Sequence, residues 1–358
     1  MTSNMRIAIV TPDLSDNSLG RTYCLWLLAN AAGFNAQVYS TTGTKIWEPL
    51  NHSDFSSTCT RLDESDLSAE LAGRFDLIIA VKPLATSLGV AHRTSLATGI
   101  PLLLDIDDPD LEAKLSWRDP LRRLKRGVLH GRTVREFSRM RRLSRRYPKI
   151  VSNPYLQRLY GGQLIPHVRT PTLLVSNGSG EGELKVAFVG TNRPHKGVDL
   201  LREAVSRLQP APVSLTVTDY APDDAAPWEN WVGPTSLEDG IALVRRSNAV
   251  VLPSAAGLLS HGQLPVKLVD AMMLGKAVVV TRVEPMPWAV GDTGLVLRRR
   301  TAGDVAQALE SLLDEEARSD MGTRARKRAM ALFSVDANLE RFVQACGAAV
   351  EARPNKVE

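Results

Sequence analysis

The segment Gly190-Thr191-Asn192-Arg193-Pro194-His195-Lys196-Gly197 sets the cations Arg193 and Lys196 between two glycines. It follows an apolar run ending at Val189 and precedes a stretch of helical apolar spacing over Val198 to Leu208. Cations at a helix start, with Gly190 and Asn192 where the backbone can come close, suit an anion whose charge grows during a reaction. The same residues also make an ordinary solvated loop. A second constellation runs from Ser254 to Gly275: a loop with Gly262, Gln263 and Leu264, then a predicted helix Val266 to Leu274 carrying Lys267 and Asp270. Residues three apart share a helix face, so ammonium and carboxylate would project together, toward a ligand or as a surface ion pair. A third, Asp105-Ile106-Asp107-Asp108, ends an apolar run. Its carboxylates, Asp107 first among them, could orient or deprotonate a hydroxyl with Lys82 as counter-charge, or could cap the next helix. His167 and His261 are secondary candidates, because a lone histidine is more often a structural hydrogen-bonding group.

The elements that must position these residues form two series. Apolar strands are predicted at Arg6 to Val10, Ala36 to Tyr39, Leu77 to Val81, Pro101 to Leu104, Lys149 to Pro154 and Gln163 to His167. A polar loop, Ser15 to Gly20, lies between the first strand and a helix over Arg21 to Ala32, an arrangement that presents free backbone N–H groups to an anion near Gly20. From Leu184 the series repeats, with strands at 184–190, Ser214 to Val217, Ala249 to Leu252 and Ala277 to Val280. Near-continuous apolar strands alternating with helices imply parallel sheets covered on both faces. At 358 residues the chain is long enough for two such domains. The expected architecture is α/β, two doubly wound Rossmann-like domains facing across a cleft, residues 1–173 and 184–335, with the Gly/Ser/Asn-rich stretch Leu174 to Glu183 as linker. In such folds ligands meet the carboxyl ends of the strands.

Val189-Gly190 through Lys196-Gly197-Val198, Leu252-Pro253-Ser254 and Lys267-Leu268-Val269-Asp270 through Val279 resemble the GT-B glycosyltransferases of family 4, over nearly the whole chain. That resemblance implies retaining transfer of a sugar from a nucleoside-diphosphate donor (UDP-, GDP- or dTDP-sugar), with no essential metal or other cofactor. It also implies a C-terminal helix, 336–358, crossing back to the first domain. By position Lys196 matches the family's diphosphate-binding lysine, and Asp270 its ribose-holding carboxylate. The family's arginine falls at Thr191 and its first glutamate at Gly262, so Arg193 or Lys267 would supply the cation, and the N–H groups of Gly262, Gln263 and Leu264 the remaining donors. Gly20 corresponds to its N-terminal glycine loop. Base recognition by backbone groups is expected around Trp231 to Pro234. An epimerase of the same fold, or a non-catalytic anion- or membrane-binding protein on this scaffold, are the alternatives.

The net charge of +5 is unevenly spread: Lys114 to Lys149 holds fourteen Lys or Arg against Asp119 and Glu136, a local +12, leaving the rest of the chain at −7. Apolar residues interleave the cations, so this segment, 114–149, is expected to meet an anionic membrane surface or an acidic or lipid-linked acceptor, with a merely solvated face as the alternative. The acceptor implied for the transfer itself is a glycan, a lipid-linked species or a small molecule. Nucleic acid is not expected, because stacking aromatics are nearly absent. Cys24, Cys59 and Cys346 show neither disulfide nor zinc spacing. The polar start Met1 to Asn4, running into a short β-like stretch, is unlike a secretory signal, which makes the cytoplasm, with peripheral attachment at the inner membrane face, the expected location.

Overall fold

The computed structural model describes residues 4–115, 131–171, 182–257 and 260–352. The chain divides into two compact units, residues 1–168 with 338–358, and residues 169–337. The stretch Leu174 to Glu183 read as a linker lies mostly outside the described residues, as do Arg122, Arg123, Lys125 and Arg126 of the basic segment.

In the first unit seven strands form one sheet: β1 (Arg6–Val10), β2 (Asn35–Ser40), β3 (Cys59–Arg61), β4 (Leu77–Val81), β5 (Leu102–Ile106), β6 (Lys149–Val151) and β7 (Gln163–Leu164). Their spatial order is β3-β2-β1-β4-β5-β6-β7, every pair parallel. The second unit carries β8 (Leu184–Phe188), β9 (Val213–Val217), β10 (Glu229–Trp231), β11 (Ala249–Leu252), β12 (Ala277–Val280) and β13 (Leu295–Val296). These run in the order β10-β9-β8-β11-β12-β13, again all parallel. The order reverses between β1 and β4 and between β8 and β11, the doubly wound pattern, so the two-domain α/β expectation is borne out.

Alternation explains why the central strands are so apolar. Val250 and Leu252 of β11 pack with Leu268 and Met272 on one face of the sheet, while Ala249 and Val251 pack with Leu201 and Val305 on the other. The three strands missed from sequence, β3, β10 and β13, are all sheet edges of two or three residues. An edge strand lacks a second neighbour and much of the core, so Cys-Thr-Arg or Glu-Asn-Trp needs no apolar run. The helix Val335–Glu351 belongs from Asn338 onward to the first unit and buries Phe342, Cys346 and Ala349.

Candidate active site

In the second unit the loops after β8 and β11 flank the reversal of strand order, and one hydrogen bond joins them while another ties the second to the segment after β13. The Ala255 N–H donates to the His195 carbonyl at 2.7 Å, and Arg300 Nε donates to the Pro253 carbonyl at 2.8 Å. Gly197 makes this approach feasible: its φ is +80°, and any Cβ there would sit 2.5 Å from that same Pro253 oxygen. Gly190, at φ +116°, donates to Thr218 Oγ1 at 2.6 Å, and a Cβ on it would fall 3.0 Å from Lys267 Nζ. Lys267 therefore points across the start of the 190–197 loop. Its ammonium lies 4.0 Å from the centre of the Phe188 ring, a cation–π contact. Among the described residues it has no carboxylate partner, and burial, with the nearby Lys196 ammonium, pushes its pKa down to about 7. Burial likewise lowers His195, aided by Lys196, Arg193 and Lys267. Four basic side chains, Arg193, His195, Lys196 and Lys267, thus converge at these loops.

Asp270 is placed differently from the expectation. It does not project beside Lys267 but is buried and accepts from Arg169, Nε to Oδ1 at 2.7 Å and Nη2 to Oδ2 at 3.4 Å. Burial raises its pKa against the pull of Arg169. The backbone donors assigned to Gly262 and Gln263 need a second correction. The Gly262 N–H already donates to the Glu284 carbonyl at 2.7 Å, and that of Gln263 to Ser260 at 3.3 Å, because the loop must turn tightly through Gly262 at φ +94° before the helix Val266–Met273. Only the Leu264 N–H makes no hydrogen bond among the described residues. Asn192 is exposed, its N–H held by Asp219 Oδ2 at 2.6 Å. His261 lies half-buried in the loop ahead of Gly262, its N–H donating to the Gly257 carbonyl at 2.9 Å.

In the first unit the acidic string splits. Asp105 is fully buried and paired with Arg21, whose Nη2 lies 2.7 Å from Oδ1 and which also donates to the Ile165 and Pro166 carbonyls at 2.8 Å each. Burial pushes Asp105 up to about 6 despite that guanidinium. Asp107 and Asp108 instead gather with Asp110 around Lys82 Nζ, at 3.2, 2.5 and 3.2 Å. The three carboxylates lie close enough to hold a cation together, and the Lys82 ammonium supplies a positive charge among them. Burial and the neighbouring carboxylates raise Asp110 to about 7. Lys82 follows β4 with φ +68°, the sole non-glycine residue with positive φ among those described. Strain of that kind, of order 1–3 kcal/mol, persists where the surroundings force it and gathers at functional sites. The counter-charge expected of Lys82 is present. Gly20 is not a loop residue: the helix Ser18–Ala31 begins earlier than predicted, and Gly20 sits in its first turn, its Cα facing the Trp47 ring. His167 is buried, Nδ1 3.8 Å from Cys24 Sγ.

Sequence reasoning missed Arg169, Arg21, Arg300 and Phe188. Each acts on a group far away in the chain, and only the run Arg298-Arg299-Arg300 after an apolar pair carried any local signal.

Residues 183–315 match the family model described as Glycosyl transferases group 1. No curated protein matches the sequence. In structure the chain is similar to sucrose-phosphate synthase (tll1590) from Thermosynechococcus elongatus, at 17% identity over 97% of this chain and 100% of that one, TM-score 0.70. It is similar to Anabaena Alr3699/HepE in complex with UDP-glucose, at 14% identity over 96% and 100%, TM-score 0.72. A candidate UDP-N-acetylglucosamine 2-epimerase from Listeria monocytogenes shares the fold at 12% identity over 99% and 100%, TM-score 0.60. The resemblance read from the post-strand loops is borne out, since the span that matches this glycosyltransferase family model contains both loops.

Proposed function

We propose that this chain, whose residues 183–315 match the group 1 glycosyltransferase family model, moves a sugar from a nucleoside-diphosphate donor to an acceptor hydroxyl with retention of configuration. The products would be a bacterial-type glycan, glycolipid or natural-product glycoside. The observation that carries the reading is the convergence of Arg193, His195, Lys196 and Lys267 at a strand-order reversal, with no carboxylate facing Lys267. A buried Lys267 ammonium with no carboxylate facing it is costly, and a bound diphosphate offsets that cost. As the bond from the sugar C1 to the diphosphate breaks, charge grows on the leaving oxygen, and Lys196, Lys267 and Arg193 neutralise it. Asp270, fixed by Arg169, keeps lone pairs for the ribose hydroxyls. Leu264 and the first N–H groups of the helix Val266–Met273 add backbone donors. On the acceptor side, Asp107, held near Lys82, orients the attacking hydroxyl.

UDP-, GDP- and dTDP-sugars are the donor candidates, with no essential cofactor. Acceptors are a glycan, a lipid-linked species or a small molecule. No helix among the described residues is long and apolar enough to cross a membrane. The exposed Arg132, Arg135, Arg139, Arg142, Arg145 and Arg146 suit peripheral attachment to an anionic inner membrane face in the cytoplasm. A same-fold epimerase is the second reading, favoured by the likeness to the Listeria protein. A thermal-shift screen of the three donor classes identifies the donor, because a cognate ligand stabilises the folded state by mass action. Incubating that donor alone, then with acceptors, separates the readings: an epimer without acceptor supports the second, nucleotide release that depends on acceptor the first.

A further inference from the structure

We infer that Tyr220 is the surface on which the donor's base stacks; this rests on the donor reading above. β9 and β10 pair with Val217 opposite Trp231, so the chain leaves both strands at the same end of the sheet as the 190–197 loop. Asp219 gathers the three segments there. Its Oδ2 accepts from the Asn192 N–H at 2.6 Å, its Oδ1 from the Tyr220 N–H at 2.8 Å, and its carbonyl from the Gly233 N–H at 3.1 Å. The Val232 N–H donates to the Val217 carbonyl at 3.1 Å. The N–H groups of Val232 and Gly233 are therefore consumed inside the protein, which removes two of the backbone donors expected to read the base around Trp231 to Pro234.

Side chains remain. Tyr220 is 76% exposed and Val232 42%, two of the four large apolar side chains left in water among the described residues. Both flank the loop that holds Asn192. The Tyr220 ring makes no hydrogen bond or ring contact among the described residues, while its backbone is pinned by the Asp219 carboxylate. A pinned backbone with a free aromatic face is a stacking platform, and stacking accepts any base because every base has a π-face. Position beside the diphosphate loop selects a nucleobase over other flat partners.

Calorimetric titration of UDP, GDP, dTDP and pyrophosphate into wild type, Tyr220→Ala and Tyr220→Phe tests the assignment. The side chain is largely exposed, so neither substitution should disturb folding. Tyr220→Ala is expected to weaken every nucleoside diphosphate the wild type binds by about tenfold or more, to leave pyrophosphate binding unchanged, and Tyr220→Phe to restore affinity. Unchanged nucleotide affinity in Tyr220→Ala, or an equal loss for pyrophosphate, would overturn it. If wild type bound none of the nucleotides, the donor reading itself would fall, and the stacking role with it.

Discussion

Lys267 shows how much of a site one side chain can report. Its type and place in the sequence marked it as an anion ligand, but its setting depends on Phe188, a residue on a different strand that no local pattern links to it. An exposed lysine titrates near 10.5, whereas burial and the Lys196 ammonium push this one down to about 7. Between those values the unfolded chain binds more protons than the folded one, so stability contributed by this group rises with pH across that window, and its cost is present in full below about 7. A bound diphosphate favours the ammonium and has the opposite dependence. Nucleotide binding above pH 7 should take up a proton and weaken as pH rises, with Lys267→Met removing both effects. Calorimetry in buffers of different ionisation enthalpy measures the proton count. Asp105 is the converse case: a carboxylate read with the acidic string as a group for an acceptor proves to be committed to Arg21, because nothing in a strand-end Asp-Ile-Asp-Asp discloses which carboxylate turns inward.

At the scale of elements, the central strands were legible almost residue by residue, since burial on both faces leaves only apolar types there. β1, β4, β11 and β12 have the predicted limits or fall within a residue of them. The edge strands β3, β10 and β13 and the ties between elements were not, because they depend on partners and not on periodicity. The bond from Arg169 to Asp270 is such a tie, fastening the helix Val266–Met273 to the segment that opens the second unit. Removing one partner of a buried pair strands the other's charge. Arg169→Ala should cost about 3–5 kcal/mol in urea unfolding, with a loss of nucleotide affinity as Asp270 is released. A change below about 0.5 kcal/mol, the range of ordinary surface substitutions, would mean that the pair carries no structural weight.

For the whole molecule, duplication of one doubly wound unit was readable from the two runs of strands, and the strand orders bear it out. Charge is the other property of that scale. The helix Gly131–Ser144 buries Met140 and turns Arg132, Arg135, Arg139 and Arg142 to solvent. Each cation near an anionic leaflet contributes about 1 kcal/mol at moderate salt. Sedimentation with vesicles of anionic lipid should therefore retain the protein, with Arg139→Glu/Arg142→Glu reducing retention by roughly tenfold or more and neutral vesicles showing none; equal retention of the double variant would remove this helix from any membrane role. The central claim, that the loops after β8 and β11 bind and discharge a nucleoside-diphosphate sugar, is met most directly by turnover of Lys196→Ala and Lys267→Ala with the cognate donor and acceptor. Loss of a group that stabilises the leaving charge predicts rates lower by about 100-fold or more in each, whereas wild-type rates in both would contradict it.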